Sequence, residues 1–259
     1  NYGASIALQN LNKTNSELER TQNRINTGMK VSSAKDSGAI YSIATSQRAA
    51  AASQDAVRAG LQRTQSITDV ALAAGDTITA ALEEMKGLAV SIAGSTGAAQ
   101  TSYLAEYNAL GTEIASALSG ATFDGVNLFS ANAAAITVQT GPSTTYTLKA
   151  IAGAATSVAT TTTATSGDAA TLGATVDGAI TAFTAILSDF GTKSKSLGRQ
   201  ISFVNKLQDA LEAGVGNLVD ADLAKESAKL TALQTKQQLG VQALSIANSS
   251  SQTLLSLFR

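Results

Sequence analysis

The chain contains no cysteine, no histidine and no tryptophan, and a single proline in 259 residues. Each absence removes a class of chemistry. Without cysteine there is neither a disulfide framework nor a thiol nucleophile, which suits a secreted chain and a cytosolic one equally. Without histidine there is no His/Cys zinc cluster, no Ser-His-Asp triad and no HExxH helix. Serine and lysine are both common, but nothing places a Ser–Lys pair in a pocket. The chain therefore reads as a non-enzyme with no cofactor or metal. Aromatics make up only 4% of the residues, so the core forgoes the large burial that rings supply, and thin helical layers are expected in place of a thick globule. Basic excess is missing as well: a net charge of -1 is the wrong footprint for nucleic acid. No apolar run approaches the ~18 residues that a membrane-spanning helix needs. Membrane-surface helices carry Lys/Arg flanks and Trp or Phe anchors, and here Trp is absent and Phe is scattered. The start, NYGASIAL, lacks a signal-peptide charge pattern and, without an initiator Met, leaves room for residues upstream.

The chain is rich in alanine, heptad spacing and length. In 217–259, Leu223, Leu230 and Leu244 fall seven or fourteen apart, and Leu233, Gly240, Ala247 and Leu254 form a companion track, with Leu257 close to the chain's end. This is the repeat that lets one helix meet another. Gln237 and Ser251 interrupt the first track, while Gly240 and Ala247 thin the second, so the stripe is too sparse to hold a helix in water alone. Asp220 and Asp222 stand where that helix begins and read as partners of its N-terminal dipole, not as a cation site. Near the other end, Leu11, Leu18 and Ile25 are also seven apart, with Leu8, Asn15 and Gln22 as companions. A buried Asn in such a seam lowers stability but fixes register. Two incomplete stripes at opposite ends of one chain are expected to be each other's partner. Gly28 should end the first helix. The segment 24–39, rich in turn formers and mixed charge, reads as a connector, and Ser37 reads as the N-cap of the second helix.

From residue 39 to 92 the 3–4 spacing of Val57, Leu61, Ile78, Leu82, Met85, Ala89 and Ile92 predicts a helix of about 80 Å, interrupted only by Gly60, Gly75 and Gly87. A compact globule of this length has a radius of gyration near 18 Å, so the molecule should be a rod, or the helix should break at a glycine. Leu104, Tyr107, Leu110, Ile114 and Leu118 mark a shorter returning helix. Asp124-Gly125 is a turn signal, and 136–140 and 145–149 alternate as strands around a Gly141-Pro142-Ser143 turn. The stretch 150–173, mostly Ala, Thr, Ser and Gly, has no usable period and reads as a surface loop. A second long helix runs through Val176, Phe183, Phe190, Leu197, Val204, Leu211 and Val215, with a softening at Gly214 and Gly216. The fold class is mainly α: an elongated rod of long antiparallel helices with a small β-hairpin, plus a coiled coil of the terminal helices.

The segments ALQNLNKTNSELERTQNRINTGMKVSSAKDSGA near the start, TFDGVNLF and ITVQTG in the middle, and LVDADLAKESAKLTALQTKQQLGVQALSIANSSSQTLLSLFR at the end resemble bacterial flagellins, over nearly the whole chain. The resemblance implies a structural subunit that self-assembles into the flagellar filament for swimming motility. It implies inner-core helices over 1–32 and 217–259 packed as coiled coils through Leu11, Leu18, Ile25, Leu223, Leu230, Leu233, Gly240, Leu244, Ala247, Leu254 and Leu257. It further implies a spoke over 33–44, with Arg24, Asn26, Lys35 and Asp36 as spoke residues, and an outer rod over 45–149 and 176–216. The segment 150–175 is too short to build the family's large variable outer domains, so the chain resembles a minimal flagellin. Implied partners are many copies of itself, an export chaperone on the C-terminal helix, a filament cap and hook-junction proteins; the implied location is secreted and extracellular. A hook–filament junction protein, with similar terminal helices, is the alternative.

Overall fold

Alanine-rich stretches with one proline offer little to interrupt a helix, and the computed structural model is 80% helical. It describes residues 2–130, 135–141, 144–148, 158 and 161–257, with side chains to residue 249. The order is α1 (Tyr2–Thr27), α2 (Gly38–Ala93), α3 (Gly97–Gly120), β1 (Thr122–Phe123), β2 (Val126–Asn127), β3 (Ile136–Gln139), β4 (Thr145–Leu148), a 3-10 turn (Ser166–Asp168), α4 (Leu172–Val219) and α5 (Leu223–Leu257). The chain divides into two compact units, Asn1–Ala51 with Asp209–Arg259, and Ala52–Gln208. Mainly-α structure with long helices and a small hairpin is what the periodicity predicts.

α2 does not break at its glycines: its 56 residues run on for about 84 Å at 1.5 Å per residue. Gly75 is there for close approach, since a Cβ would come within 2.2 Å of the Leu187 side chain. Nor does α4 soften into a bend that ends it at Gly214 or Gly216; it continues to Val219. Within unit Ala52–Gln208 the two helices run antiparallel, as the pairs Lys86–Asp177 (2.6 Å), Asp69–Ser194 (3.3 Å) and Arg58–Gln208 (3.3 Å) show. α3 starts beside Ile92, whose carbonyl accepts from the Gln100 amide. Asp124, just past its end, pairs with Arg63, so α3 is also antiparallel to α2 and parallel to α4.

The core of this unit sits where the three helices meet. Ile78, Leu82, Met85 and Ile92 of α2, Tyr107 and Ile114 of α3, and Val176, Phe183 and Phe190 of α4 are fully buried there with Leu128 and Phe129. The few rings are concentrated: Phe129 lies 5.7 Å from Phe183 and 5.8 Å from Phe190, centroid to centroid, a geometry that adds to their burial. Thr64 and Thr68 fill gaps in the α2 stripe. Each hydroxyl donates to the carbonyl four residues back, at 2.9 Å, so threonine enters an apolar face with its polarity satisfied.

Asp124 (φ 49°) and Gly125 (φ 74°) form the tight turn between β1 and β2, as the Asp-Gly signal predicts. β3 and β4 pair antiparallel with Val138 opposite Tyr146 and Ile136 opposite Leu148. Val138 and Leu148 face inward. Gly141 is described, while Pro142 and Ser143 lie outside the described residues. The surface-loop reading of 150–173 needs correction where it is described. Val158, Thr161, Ala164 and Leu172 are buried. The Asn108 side chain clamps Ala164, donating to its carbonyl at 3.1 Å and accepting from its N–H at 2.7 Å. Gly111 is the reason the segment fits, because a Cβ there would lie 2.0 Å from the Thr162 carbonyl oxygen.

Candidate assembly interface

The terminal helices α1 and α5 pack against each other. Arg24 meets Glu226, Asn15 meets Gln237 and Leu11 meets Gly240, so one numbering rises as the other falls and the pair is antiparallel. The inward positions of α1 include Ala4, Ala7, Leu11, Thr14, Leu18, Thr21 and Ile25, flanked by the half-buried Asn15 and Arg24, and those of α5 are Glu226, Leu230, Leu233, Gln237, Gly240, Leu244 and Ala247. Both sets keep unbroken 3–4 spacing, the signature of a coiled-coil seam.

The expected track of Leu11, Leu18 and Ile25 lies in this seam, but of its companion track only Asn15 does. Leu8 and Gln22 are exposed, and Ala7 and Thr21 beside them face inward. Both Leu8 and Ala7 satisfy the 3–4 spacing from Leu11; the side on which α5 packs selects Ala7. On α5, Leu230, Leu233, Gly240, Leu244 and Ala247 are inward, with Leu233 buried. Leu223 is not: at the first position of the helix it is 49% exposed. Leu254 and Leu257 lie in α5, with side chains outside the described residues. Gly240 makes room for Leu11, whose Cδ1 would lie 3.2 Å from an added Cβ.

Two polar layers cross the seam. The Gln237 amide donates to Asn15 Oδ1 at 2.8 Å, so the two residues that interrupt the stripes are partners and fix register. Further along, Arg24 Nη1 donates to Glu226 Oε1 at 3.0 Å, with Glu226 buried. Arg24 thus belongs to the helix pair, not to the connector in which its sequence neighbourhood places it. Glu226 escapes a search for apolar positions because it is charged; carrying the Leu233–Gly240–Ala247 track seven residues back finds it. The layer is incomplete: Thr21 Oγ1, Arg24 Nε and Glu226 Oε2 are buried without a hydrogen-bond partner among the described residues. A groove of about 640 Å³ opens beside it, lined by Arg24, Lys30, Asp36, Asp220, Lys225 and Glu226 among others.

The connector after α1 is fixed by backbone. Gly28 (φ 70°) turns the chain out of the helix. Met29 and Asp220 form an isolated antiparallel bridge. Lys30 N–H donates to the Val219 carbonyl at 2.7 Å, and Ala221 N–H to the Gly28 carbonyl at 2.8 Å. The Lys30 ammonium reaches the Asn217 carbonyl at 2.9 Å. Val31, Ala44, Val215 and Val219 make a small buried cluster beneath. Asp36 Oδ2 accepts from the N–H and hydroxyl of both Ser32 and Ser33 at 3.1–3.2 Å. Those bonds, the Ser32 N–H first, hold its carboxyl below the ordinary carboxylate range. Ser37 receives the Ile40 N–H at 3.5 Å, a long N-cap bond, and Asp222 receives the Lys225 N–H at 3.1 Å as N-cap of α5. Asn26 and Lys35 are exposed.

The helix faces turned away from the seam are not polar throughout. Ile6 and Leu8 on α1, and Leu239, Val241 and Ile246 on α5, are exposed, with Leu239 and Ile246 seven residues apart.

Comparison with known proteins points to the same ends. The family profile described as the bacterial flagellin N-terminal helical region matches residues 1–134, and that described as the C-terminal helical region matches 173–258. The chain is 52% identical over 265 residues to Flagellin FljK of Caulobacter vibrioides, covering 100% of this chain and 97% of that one. It is 38% identical over 283 residues to a flagellin of Brucella melitensis, covering 100% and 98%. Its fold is similar to the crystal structure of Bacillus cereus flagellin, with a TM-score of 0.50 at 24% identity over 56% of this chain and 88% of that chain.

Proposed function

Because the chain belongs to the bacterial flagellin family and is a structural subunit of the flagellar filament, we propose that its paired terminal helices are the polymerisation element. The observation that carries this is the unpartnered stripe of α5. One face is taken by α1, yet Leu239 and Ile246, 58% and 68% exposed, repeat the heptad on another, as a helix does when it has more than one helical neighbour. Solvent-exposed apolar residues in such a row mark an interaction surface. The test is the double variant Leu239→Ser/Ile246→Ser, analysed by sedimentation after seeding with filament fragments. Loss of pelletable filament with unchanged melting of unit Ala52–Gln208 is expected, and wild-type filament yield would refute it.

The chain is short and lacks the large outer domains of longer flagellins. On that basis 1–32 and 217–259 are the inner-core helices that line the filament, and 33–44, with Asn26, Lys35 and Asp36, is the spoke. Residues 45–149 and 176–216 supply outer contacts, and 150–175 stands where longer relatives carry variable domains. The subunit is non-catalytic, exported and extracellular, in keeping with a structural family; no described helix is long and apolar enough to cross a membrane. An export chaperone covering the exposed α5 face, a filament cap and hook-junction proteins are its further partners. The relatives named flagellin do not favour the junction-protein alternative. In the free subunit the helix pair is only marginally ordered, since polar layers and small residues interrupt its seam, and ordering is coupled to assembly.

A further inference from the structure

Away from the terminal helices, α4 carries an exposed basic surface that no ion pair among the described residues uses. Between Asp189 and Asp209 there is no acidic residue, while Lys193, Lys195, Arg199 and Lys206 all fall there. Lys193 pairs with Asp189, but Lys195, Arg199 and Lys206 are exposed, and none of the ion pairs among the described residues involves them. They surround a groove completed by Gly198, Ser202 and Phe203. Phe203 is 54% exposed. The spacing is informative: 195, 198, 199 and 202 are the i, i+3, i+4, i+7 diamond into which a partner helix inserts a side chain, and 199, 202, 203 and 206 form the next one. Gly198 leaves the first hole open, with no atom within 4 Å of where its Cβ would be.

The complement is on α3 of the same unit. No Lys or Arg occurs between Lys86 and Lys149. α3 exposes Glu106 and Glu113 with Ala105 and Ala109 among them, and Tyr103 at its edge. Neither glutamate takes part in an ion pair among the described residues. Glu106 and Glu113 are seven residues apart, as are Arg199 and Lys206, so both pairs are spaced by two helical turns, about 10.5 Å. The small alanines suit close approach over Gly198.

We propose that the basic groove of α4 receives the acidic face of α3 from a second copy of this chain, Glu106 opposite Arg199 and Glu113 opposite Lys206. This rests on the filament-subunit reading and names one of its contacts. The two surfaces differ, so the contact is heterologous, the kind that builds an open helical filament where its rotation does not close a ring. α3 and α4 run parallel within the subunit, and the matched charge order needs them parallel in the contact between subunits as well.

The test is seeded polymerisation of the full chain on wild-type filament fragments, reading the critical concentration. Arg199→Glu/Lys206→Glu and Glu106→Lys/Glu113→Lys should each raise it at least about tenfold, and the quadruple exchange should bring it back to within about threefold of wild type, as restored charge pairing requires. Gly198→Leu fills the hole from a Cβ position with nothing within 4 Å and should also raise it about tenfold, with unchanged circular dichroism and melting. The proposal is overturned if either double variant polymerises like wild type, or if the quadruple exchange is as poor as the doubles. Wild-type protein that fails to extend the fragments would sink the filament reading itself; wild-type growth with indifferent variants would sink only this contact.

Discussion

The α2 stripe of unit Ala52–Gln208 and the seam between α1 and α5 share the same 3–4 period and fill it differently. α2 places Leu61, Ile78, Leu82, Met85 and Ile92 at its inward positions, and behind them lie Phe129, Phe183 and Phe190. The terminal seam alternates Leu11, Leu18, Leu230, Leu233 and Leu244 with Thr14, Thr21, Asn15, Gln237, Gly240 and the Arg24–Glu226 pair. A fully buried large apolar side chain stabilises by about 1.5–3 kcal/mol. A buried ion pair roughly offsets its own desolvation, and an Asn–Gln layer fixes register without adding much stability. Period selects which face a helix presents; composition decides whether that face is sufficient alone. Unit Ala52–Gln208 has a core of its own. The terminal pair has a register and little apolar surface, which suits the proposed coupling of its order to assembly.

The strongest way to break the contrast is to damage the core that stands alone. Phe183→Ala removes the ring packed on Phe129 and should cost about 3–5 kcal/mol; calorimetry of the free subunit should show a large fall in melting temperature. The same measurement on Glu226→Ala should show almost nothing. In seeded polymerisation, however, that variant strands the Arg24 guanidinium at the seam, and a loss of about 2 kcal/mol, roughly thirtyfold in critical concentration, is expected. Equal melting penalties for the two substitutions would erase the distinction. Next in size, Gly240→Leu crowds Leu11 and should raise the critical concentration about tenfold while melting is unchanged; Ala247→Leu should act in the same direction. Amide exchange on free subunits sharpens the point without mutation. Residues 2–30 and 218–249 should exchange with little protection while the α2 and α4 core is slow, and strong protection at both ends would contradict the coupling of order to assembly.

Two pH effects complete the series. Tyr107 is wholly buried. Burial, with the Asp168 charge adding, pushes its hydroxyl up to about 12. The raised value means that its contribution to the stability of unit Ala52–Gln208 is complete below about pH 10 and lost as pH climbs from there towards 12. Tyr107→Phe should flatten that alkaline limb in a melting-versus-pH series at little cost at pH 7, because the hydroxyl has no partner among the described residues. The smallest effect is local. Asp36 has a depressed value, so the order it gives the connector is present above the ordinary carboxylate range and lost as pH falls through the lowered value. A carboxyl titration by NMR in which Asp36 matches a free aspartate would remove that role, and Asp36→Asn should loosen amides of 32–36 alone.

Much of the fold and of the seam is legible in residue order. Leu11, Leu18 and Ile25 at one end and Leu230, Leu233 and Leu244 at the other mark two stripes of one seam, and Asp124-Gly125 marks the turn between β1 and β2, because side-chain period and turn chemistry are local properties. The places where structure and sequence part share a cause. Hydrophobicity used as a proxy for burial favours Leu8 over Ala7, passes over Glu226 and puts 150–173 on the surface. Threonines that bond their own helix carbonyls, a glutamate with an arginine across the seam, and an Ala/Thr segment clamped by Asn108 are all buried without being apolar.

By itself, then, the sequence determined helix, period, turn and charge: where α2 and α4 run, that the ends carry incomplete heptads, and that the charges of 190–208 in α4 are all basic while those of α3 are all acidic. Only the tertiary structure decided which polar side chains sit inside. It matched Asn15 with Gln237 and Arg24 with Glu226, brought Leu187 against Gly75, and tied the connector to the α4–α5 junction through Met29 and Asp220. The physical reason is that a polar group can be buried only where a distant residue satisfies it, and the identity of that residue is a property of the register between helices, not of either helix alone.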